Sequence, residues 1–269
     1  PDTYVVRQVA RGGWTQTGPA AGYYSIDVAS NATVPDVNFF NQDTVPPAVV
    51  SITRGDGIEP AGQRTNAETV KFVVQFSEPV NGVDLDDFDF EALGLPDVAI
   101  VSIDALDYHL YVVTVATGQG AGPLQLTLID GDSIVDFAGH PLGGAGINNG
   151  DFLTGESYII DRAAPKAVSI ELVGDILTNA DTVTFTVTFN ENVTGVDIDD
   201  FELAETGLTG ADIVEVAGDG AVYTVTATTG EGHDFLGLNL IDNDTILDLA
   251  GNALAGEEGD DGSLVGPAY

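Results

Sequence analysis

A phrase of sixteen residues occurs twice in this chain. Ile129–Gly144 reads IDGDSIVDFAGHPLGG and Ile241–Gly256 reads IDNDTILDLAGNALAG, with nine positions identical, the three aspartates among them. The repeat extends well beyond this phrase. FSEPVNGVDLDDFDF from Phe76 is answered by FNENVTGVDIDDFEL from Phe189, PPAVVSI from Pro46 by APKAVSI from Ala164, and HLYVVTVATGQG from His109 by AVYTVTATTGEG from Ala221. The offset shrinks from 118 residues at Pro46 and Ala164 to 112 at Ile129 and Ile241, so small loop deletions separate two parallel copies. A period near 115 residues is too long for a solenoid repeat and suits two tandem globular domains.

Each copy has an apolar period of two. Val70, Phe72, Val74 and Phe76 fall on one face of VKFVVQF, and Val183, Phe185, Val187 and Phe189 repeat them in VTFTVTF. Alternation rich in β-branched and aromatic residues marks a half-buried strand. About seven such segments per copy, divided by Gly-, Asp- and Pro-bearing turns, predict an antiparallel sandwich of roughly 100 residues. The chain is therefore expected to be all-β: two tandem sandwiches over 44–161 and 162–269, preceded by a partial β segment over 1–43. That segment reads as three short strands. Phe76 and Phe189, and Phe88 and Phe201, should hold equivalent core positions, and Tyr269 aligns with Tyr158.

The charge is extreme, with 43 acids against 7 bases and a net charge of −36. Such a chain repels nucleic acid and anionic lipid and attracts cations. Twelve Phe, eight Tyr and 43% hydrophobic residues argue against acidic disorder. There is no Cys, which excludes disulfides and thiolate metal sites, and three scattered His make a His-rich site implausible. No apolar run approaches the roughly 20 residues of a membrane span. Beginning at Pro1, the chain reads as an excised piece of something longer.

GGWTQTGP (Gly12–Pro19), GYYSIDV (Gly22–Val28) and VNFFNQ (Val37–Gln42) resemble the closing strands of a prealbumin-like (Cna B-type) repeat of bacterial surface proteins; Phe40 stands where such repeats carry Gly. The two copies resemble bacterial Ig-like repeats, sharing F-x-E-x-V-x-G-V, D-D-F and D-x-D-x-I-x-D-x-A-G-x-x-L. The resemblance implies an extracellular, surface-located segment of a multidomain adhesin or stalk. Its partners would be neighbouring domains of the same protein or identical chains.

In Ig-like topology the loop after the second strand and the loop after the sixth both lie where the chain enters the domain. The first loop carries Glu78, Asp84, Asp86 and Asp87, and the other Asp130, Asp132 and Asp136; the preceding linker adds Asp43. Their counterparts are Glu191, Asp197, Asp199 and Asp200; Asp242, Asp244 and Asp248; and Asp161. Flexible loops of hard oxygen ligands suit Ca²⁺, which takes six to eight oxygens at about 2.3–2.6 Å, better than Mg²⁺ with its stricter octahedron. At the junction between copies, Asp161, Glu191, Asp242 and Asp244 are expected to share one ion. The plainer alternative is solvated loop acids that cap turns.

Nothing in the sequence reads as an active site. Paired carboxylates can serve a glycosidase, but these recur in both copies without a cleft. Ser133 of Gly-Asp-Ser is answered by Thr245 and lacks the strand–elbow–helix context of a serine hydrolase. His109 sits in a strand pattern, His140 and His233 in loops, and all three read as surface residues. Trp14, with Tyr23 and Tyr24, reads as packing within the N-terminal strands rather than as a sugar platform. Lys71 alternates onto the outward face and Lys166 lies by the linker, which argues against an isopeptide crosslink. The chain is expected to be structural, not enzymatic. Its alternative is a filament subunit that joins neighbours by β-strand addition.

Overall fold

The computed structural model describes residues 2–30, 33–55, 64–205, 207–255 and 262–269. The N-terminal segment holds four strands rather than three: β1 (Asp2–Arg7), β2 (Trp14–Gly18), β3 (Tyr23–Val28) and β4 (Phe40–Asp43). They form two antiparallel pairs, β1 with β3 and β2 with β4. Pairing therefore skips a strand each time. β4 overlaps VNFFNQ, one of the stretches that resemble closing strands.

The first sandwich contains β5 (Val49–Arg54), β6 (Arg64–Thr65), β7 (Thr69–Phe76), β8 (Val80–Asn81), β9 (Phe88–Glu91), β10 (Ala99–Asp107), β11 (Leu110–Ala116), β12 (Gly122–Leu128), β13 (Val135–Asp136) and β14 (Ser157–Ile160). One sheet runs β5–β7–β11–β10, and the other β9–β12–β14 with β6 added parallel to β14. Leaving aside the two-residue β6, four strands packed on three is the arrangement of an Ig sandwich.

The second contains β15 (Ala167–Leu172), β16 (Thr182–Phe189), β17 (Val193–Thr194), β18 (Phe201–Glu205), β19 (Asp212–Asp219), β20 (Val222–Thr228), β21 (Leu236–Leu240), β22 (Leu247–Asp248) and β23 (Leu264–Ala268). Its sheets, β15–β16–β20–β19 and β18–β21–β23, repeat the first topology except for β6, which has no counterpart among the described residues.

The period-two faces converge on two separate cores. Phe72, Val74 and Phe76 of β7 meet Leu124, Leu126 and Leu128 of β12 in one; Phe185, Val187 and Phe189 of β16 meet Leu238 and Leu240 of β21 in the other. Phe88 and Phe201 are both buried, as their alignment requires. Each core is pinned by the same aromatic pairs: Phe76 is edge-on to Tyr111 and Phe72 to Tyr158, while Phe189 is edge-on to Tyr223 and Phe185 to Tyr269. Tyr158 and Tyr269 also match in their polar ends, donating to the Lys71 carbonyl at 2.8 Å and the Thr184 carbonyl at 2.7 Å. Such rings bury large area while their hydroxyls keep a partner.

His109 lies in the tight turn between β10 and β11, not within a strand, with Nδ1 3.0 Å from an Asp107 oxygen. Lys71 and Lys166 are both exposed.

Candidate metal centre

The acidic motifs build their loops through backbone chemistry. Asp84 and Asp197 cap single-turn 3-10 helices over Leu85–Asp87 and Ile198–Asp200, each with a reciprocal capping box closed by Asp87 or Asp200. Such boxes satisfy two backbone donors at once. The hydroxyls of Ser133 and Thr245 donate to the buried Asp87 and Asp200, tying this turn to the acidic phrase. The Gly of V-x-G-V makes that crossing possible. At Gly82 and Gly195 φ is +89° and +85°, and a Cβ would lie 2.4 Å from the Ser133 carbonyl oxygen or 2.3 Å from that of Thr245.

Within the acidic phrase, Asp130 accepts the N–H groups of Asp132 and Gly150, and Asp242 those of Asp244 and Gly262. Asp132 and Asp244 adopt left-handed backbone, φ 62° and 63°, a conformation that Asp tolerates in turns. The third aspartate also holds its loop. One oxygen of Asp136 accepts from Ala138 and His140 N–H, and its other oxygen lies 2.8 Å from His140 Nδ1. Asp248 does the same with Ala250 and Asn252, its second oxygen taking the Asn252 side-chain amide at 2.9 Å.

Two groups of three carboxylates then come together: Asp43, Glu78 and Asp136 in one, Asp161, Glu191 and Asp248 in the other. In each group, one oxygen per residue lies within 4.8 Å of the others, the span open to oxygens that share one ion at about 2.3–2.6 Å. The ladders β8–β13 and β17–β22 bring them together, pairing Val80 with Asp136 and Val193 with Asp248. Each glutamate lies two residues before the paired valine. Asp43 and Asp161 arrive on the incoming chain, each accepting the N–H two residues on, at 3.1 Å.

Of the fourteen candidate ligands, these six meet. Asp84, Asp86, Asp130, Asp132, Asp197, Asp199, Asp242 and Asp244 are outside both groups. At the junction between the sandwiches Asp248 stands beside Asp161 and Glu191, in place of the expected Asp242 and Asp244. The reason is local: the Asp242 carboxylate is committed to the N–H groups of Asp244 and Gly262, while β22 carries Asp248 across to β17.

The electrostatics repeat as well. Burial pushes the Glu78 carboxyl above its ordinary 4.5, and Asp43 and Asp136 push it the same way. Burial likewise raises Glu191, with Asp248 and Asp161 adding to it, against a smaller lowering by Arg64. Burial raises Asp87 and Asp200 too, despite their hydrogen bonds. For Asp136, burial alone would raise the value, but the His140 and Ala138 hydrogen bonds together outweigh it and leave it lowered. The groups differ in their neighbours. His140 faces Asp136 in the first; in the second, Arg64 pairs with Asp161, and Asn252 stands in the place of His140. Arg64 and Asn252 escaped the sequence search because neither is an acid.

A sign follows for stability in chelator. Carboxyls whose folded pKa is raised stabilise the fold below the ordinary value and lose that contribution as pH rises through the folded value. Glu78, Glu191, Asp87 and Asp200 act in this direction above about pH 4 to 4.5, while Asp136 acts oppositely and only below 3.8. The metal-free chain should therefore melt at a higher temperature at about pH 4.5, the ordinary glutamate value, than at pH 7.5. Glu78→Gln with Glu191→Gln should flatten the difference. Equal melts at both pH values for the parent chain would contradict these directions.

The first junction also carries a cleft of about 490 Å³, lined by Trp14, Asp43, Glu78, Asp136 and Phe137 among others. Trp14 thus reaches beyond its own strand pair and remains half exposed. Tyr24 packs edge-on against Phe39, and Arg7 lies over Tyr23.

Two β-sandwiches in series, each with an acidic group where the chain enters, define a modular Ig-like segment. Residues 161–263 match the bacterial Ig-like domain family. That match covers most of the second sandwich, whose topology the first shares. No curated protein matches the chain. Among solved structures it is similar to the Escherichia coli adhesin FdeC, with 14% identity over 83% of this chain and 66% of that one and a TM-score of 0.39. It is also similar to the D0-D1 domain of intimin (12% identity, 82% of this chain and 97% of that one, TM-score 0.26) and to the Yersinia pseudotuberculosis adhesin InvE (12%, 80% and 58%, 0.25). The chain spans less than two thirds of FdeC and InvE, and likeness this distant bears on neither ligand nor assembly.

Proposed function

We propose that this chain is a structural segment of an extracellular, surface-located multidomain adhesin or stalk, stiffened by calcium at its module junctions. One observation carries the reading: each acidic group draws one carboxylate from the preceding segment, Asp43 or Asp161, and two from the sandwich that follows. An ion bound there would neutralise converging charges and tie two modules through its own coordination shell. The donor set is all oxygen, as calcium prefers. Nothing in this role calls for a reaction.

Small-angle scattering tests it. Calcium should narrow the flexibility of the chain in solution and fix its maximum dimension relative to chelator. Glu191→Gln removes one charge with little change of shape and should reverse much of that effect. A maximum dimension and flexibility indifferent to both calcium and the substitution would mean that the acids merely face water.

A second reading, a filament subunit joined by β-strand addition, draws on β1. Its only strand partner among the described residues is β3, and it exposes Tyr4 and Val5. Strand edges of this kind can accept another chain. Electron microscopy separates the readings, with ordered polymers favouring the filament and isolated short rods the stalk.

A further inference from the structure

Arg64–Glu68 reads Arg-Thr-Asn-Ala-Glu, and Leu177–Asp181 reads Leu-Thr-Asn-Ala-Asp. The two loops are built alike. Thr65 Oγ1 accepts the Ala67 N–H at 3.2 Å, and Thr178 Oγ1 the Ala180 N–H at 3.0 Å. The Thr117 hydroxyl donates to the Ala67 carbonyl at 2.7 Å, and that of Thr229 to the Ala180 carbonyl at 2.8 Å. Backbone bonds from Thr117 N–H to the Glu68 carbonyl and from Thr229 N–H to the Asp181 carbonyl complete the match.

In the first sandwich this surface is the seat of the second. Arg162, just after Asp161, donates to the Thr117 hydroxyl at 2.6 Å, the Gly120 carbonyl at 3.0 Å and the Ala67 carbonyl at 3.4 Å. Asn66 donates its backbone N–H to the Ala250 carbonyl and its side-chain amide to Asn252 Oδ1, 3.2 and 3.1 Å. Thr117 is fully buried, and Thr65, Asn66 and Ala67 are half-buried.

In the second sandwich the same pieces are open. Thr178, Asn179 and Ala180 are exposed, and Gly232 holds the place of Gly120. A cleft of about 620 Å³ opens there, lined by Leu177, Asn179, Ala180, Thr229, Gly232 and Phe235 among others. Asp181 and Asp234 also line it, so the cleft is acidic. A planar guanidinium with five donors is the group that such a seat fits best. Leu177 replaces Arg64, and with Ile176 and Phe235 it forms an apolar rim exposed by 88, 62 and 69%. Apolar exposure gathered around a polar seat marks an interaction surface.

We propose that this pole of the second sandwich is a docking surface for a further Ig-like module, the arginine after that module's leading aspartate seating on Ala180, Thr229 and Gly232. This docking rests on the multidomain reading above and on the geometry of the existing junction, whether or not a cation binds there.

The test lengthens the chain after Tyr269 by a second copy of residues 159–269, so that Tyr269 is followed by Ile-Ile-Asp-Arg as Tyr158 is. Amide hydrogen exchange reports local opening. The Asn179 amide should exchange about tenfold or more slowly than in the 269-residue chain, approaching Asn66. Arg→Gln at position 162 of the added copy alone should abolish most of that slowing. Unchanged exchange at Asn179, with Asn66 slow and the added copy's core strand as protected as the original, would overturn the proposal. Should the lengthened chain fail to fold, the 269-residue chain is titrated with N-acetyl-arginine amide and the lysine equivalent, followed by amide chemical shift. Saturable shifts at Ala180, Thr229 and Gly232 with arginine only are expected, and no arginine-specific shift at up to about 100 mM would overturn it.

Discussion

Phe189→Ala is expected to cost about 3–5 kcal/mol of unfolding free energy, the range for emptying a buried aromatic site. The ring ends β16 only 3% exposed and meets Tyr223 edge-on, with centroids 6.0 Å apart. Losing it would remove the ring's own burial and leave a cavity. It would also loosen Tyr223, whose hydroxyl donates to the Val193 carbonyl at 3.0 Å. Val193 pairs with Asp248 and lies two residues from Glu191. The core substitution should therefore weaken calcium binding at the second junction as well as stability. Denaturant unfolding measures the first effect. Phe235→Ala is the control, because that ring is exposed and surface changes stay within about 0.5 kcal/mol. A cost for Phe189→Ala no larger than for Phe235→Ala would contradict the strand phase.

Calcium should raise stability by a comparable amount. An ion that binds only the folded state adds RT ln(1 + [L]/Kd), about 2.7 kcal/mol per site at one hundred times Kd. With the net charge at −36, ionic strength also matters, so calcium and chelator are compared at matched ionic strength. Magnesium serves as a third condition, and its stricter geometry predicts a smaller gain. Superimposable melts in chelator and in millimolar calcium would remove the cation from the account.

Much of this was legible in the sequence. The phase of Phe72, Val74 and Phe76 and its repeat at Phe185, Val187 and Phe189 put those side chains in two cores, because a strand has only two faces. The approach of the linker and acidic-loop carboxylates to one another followed from counting strands. Their selection did not. Whether Asp242 or Asp248 meets Glu191 depends on a two-residue ladder, Val193–Thr194 on Leu247–Asp248, too short to leave a period. Asp130 and Asp132 look like ligands by composition, yet their carboxylates accept N–H groups within the loop. The Thr-Asn-Ala-acid repeat was visible, but it has no chemistry until Arg162 is seen seated on its carbonyl. The N-terminal segment has one strand more than expected, and its pairing was not legible, because β4 pairs with β2 rather than with its sequence neighbour β3.

The most direct measurement is a calorimetric titration of calcium into the chelator-stripped chain, repeated on four variants. Saturable binding is expected at two sites. Glu78→Gln should abolish or greatly weaken one and Glu191→Gln the other, because each glutamate completes a different group. Asp132→Asn and Asp244→Asn should leave both sites in place, since these residues lie outside the groups. Absence of saturable binding by the parent chain, or binding that both glutamine variants retain in full, would contradict the claim that calcium joins the modules.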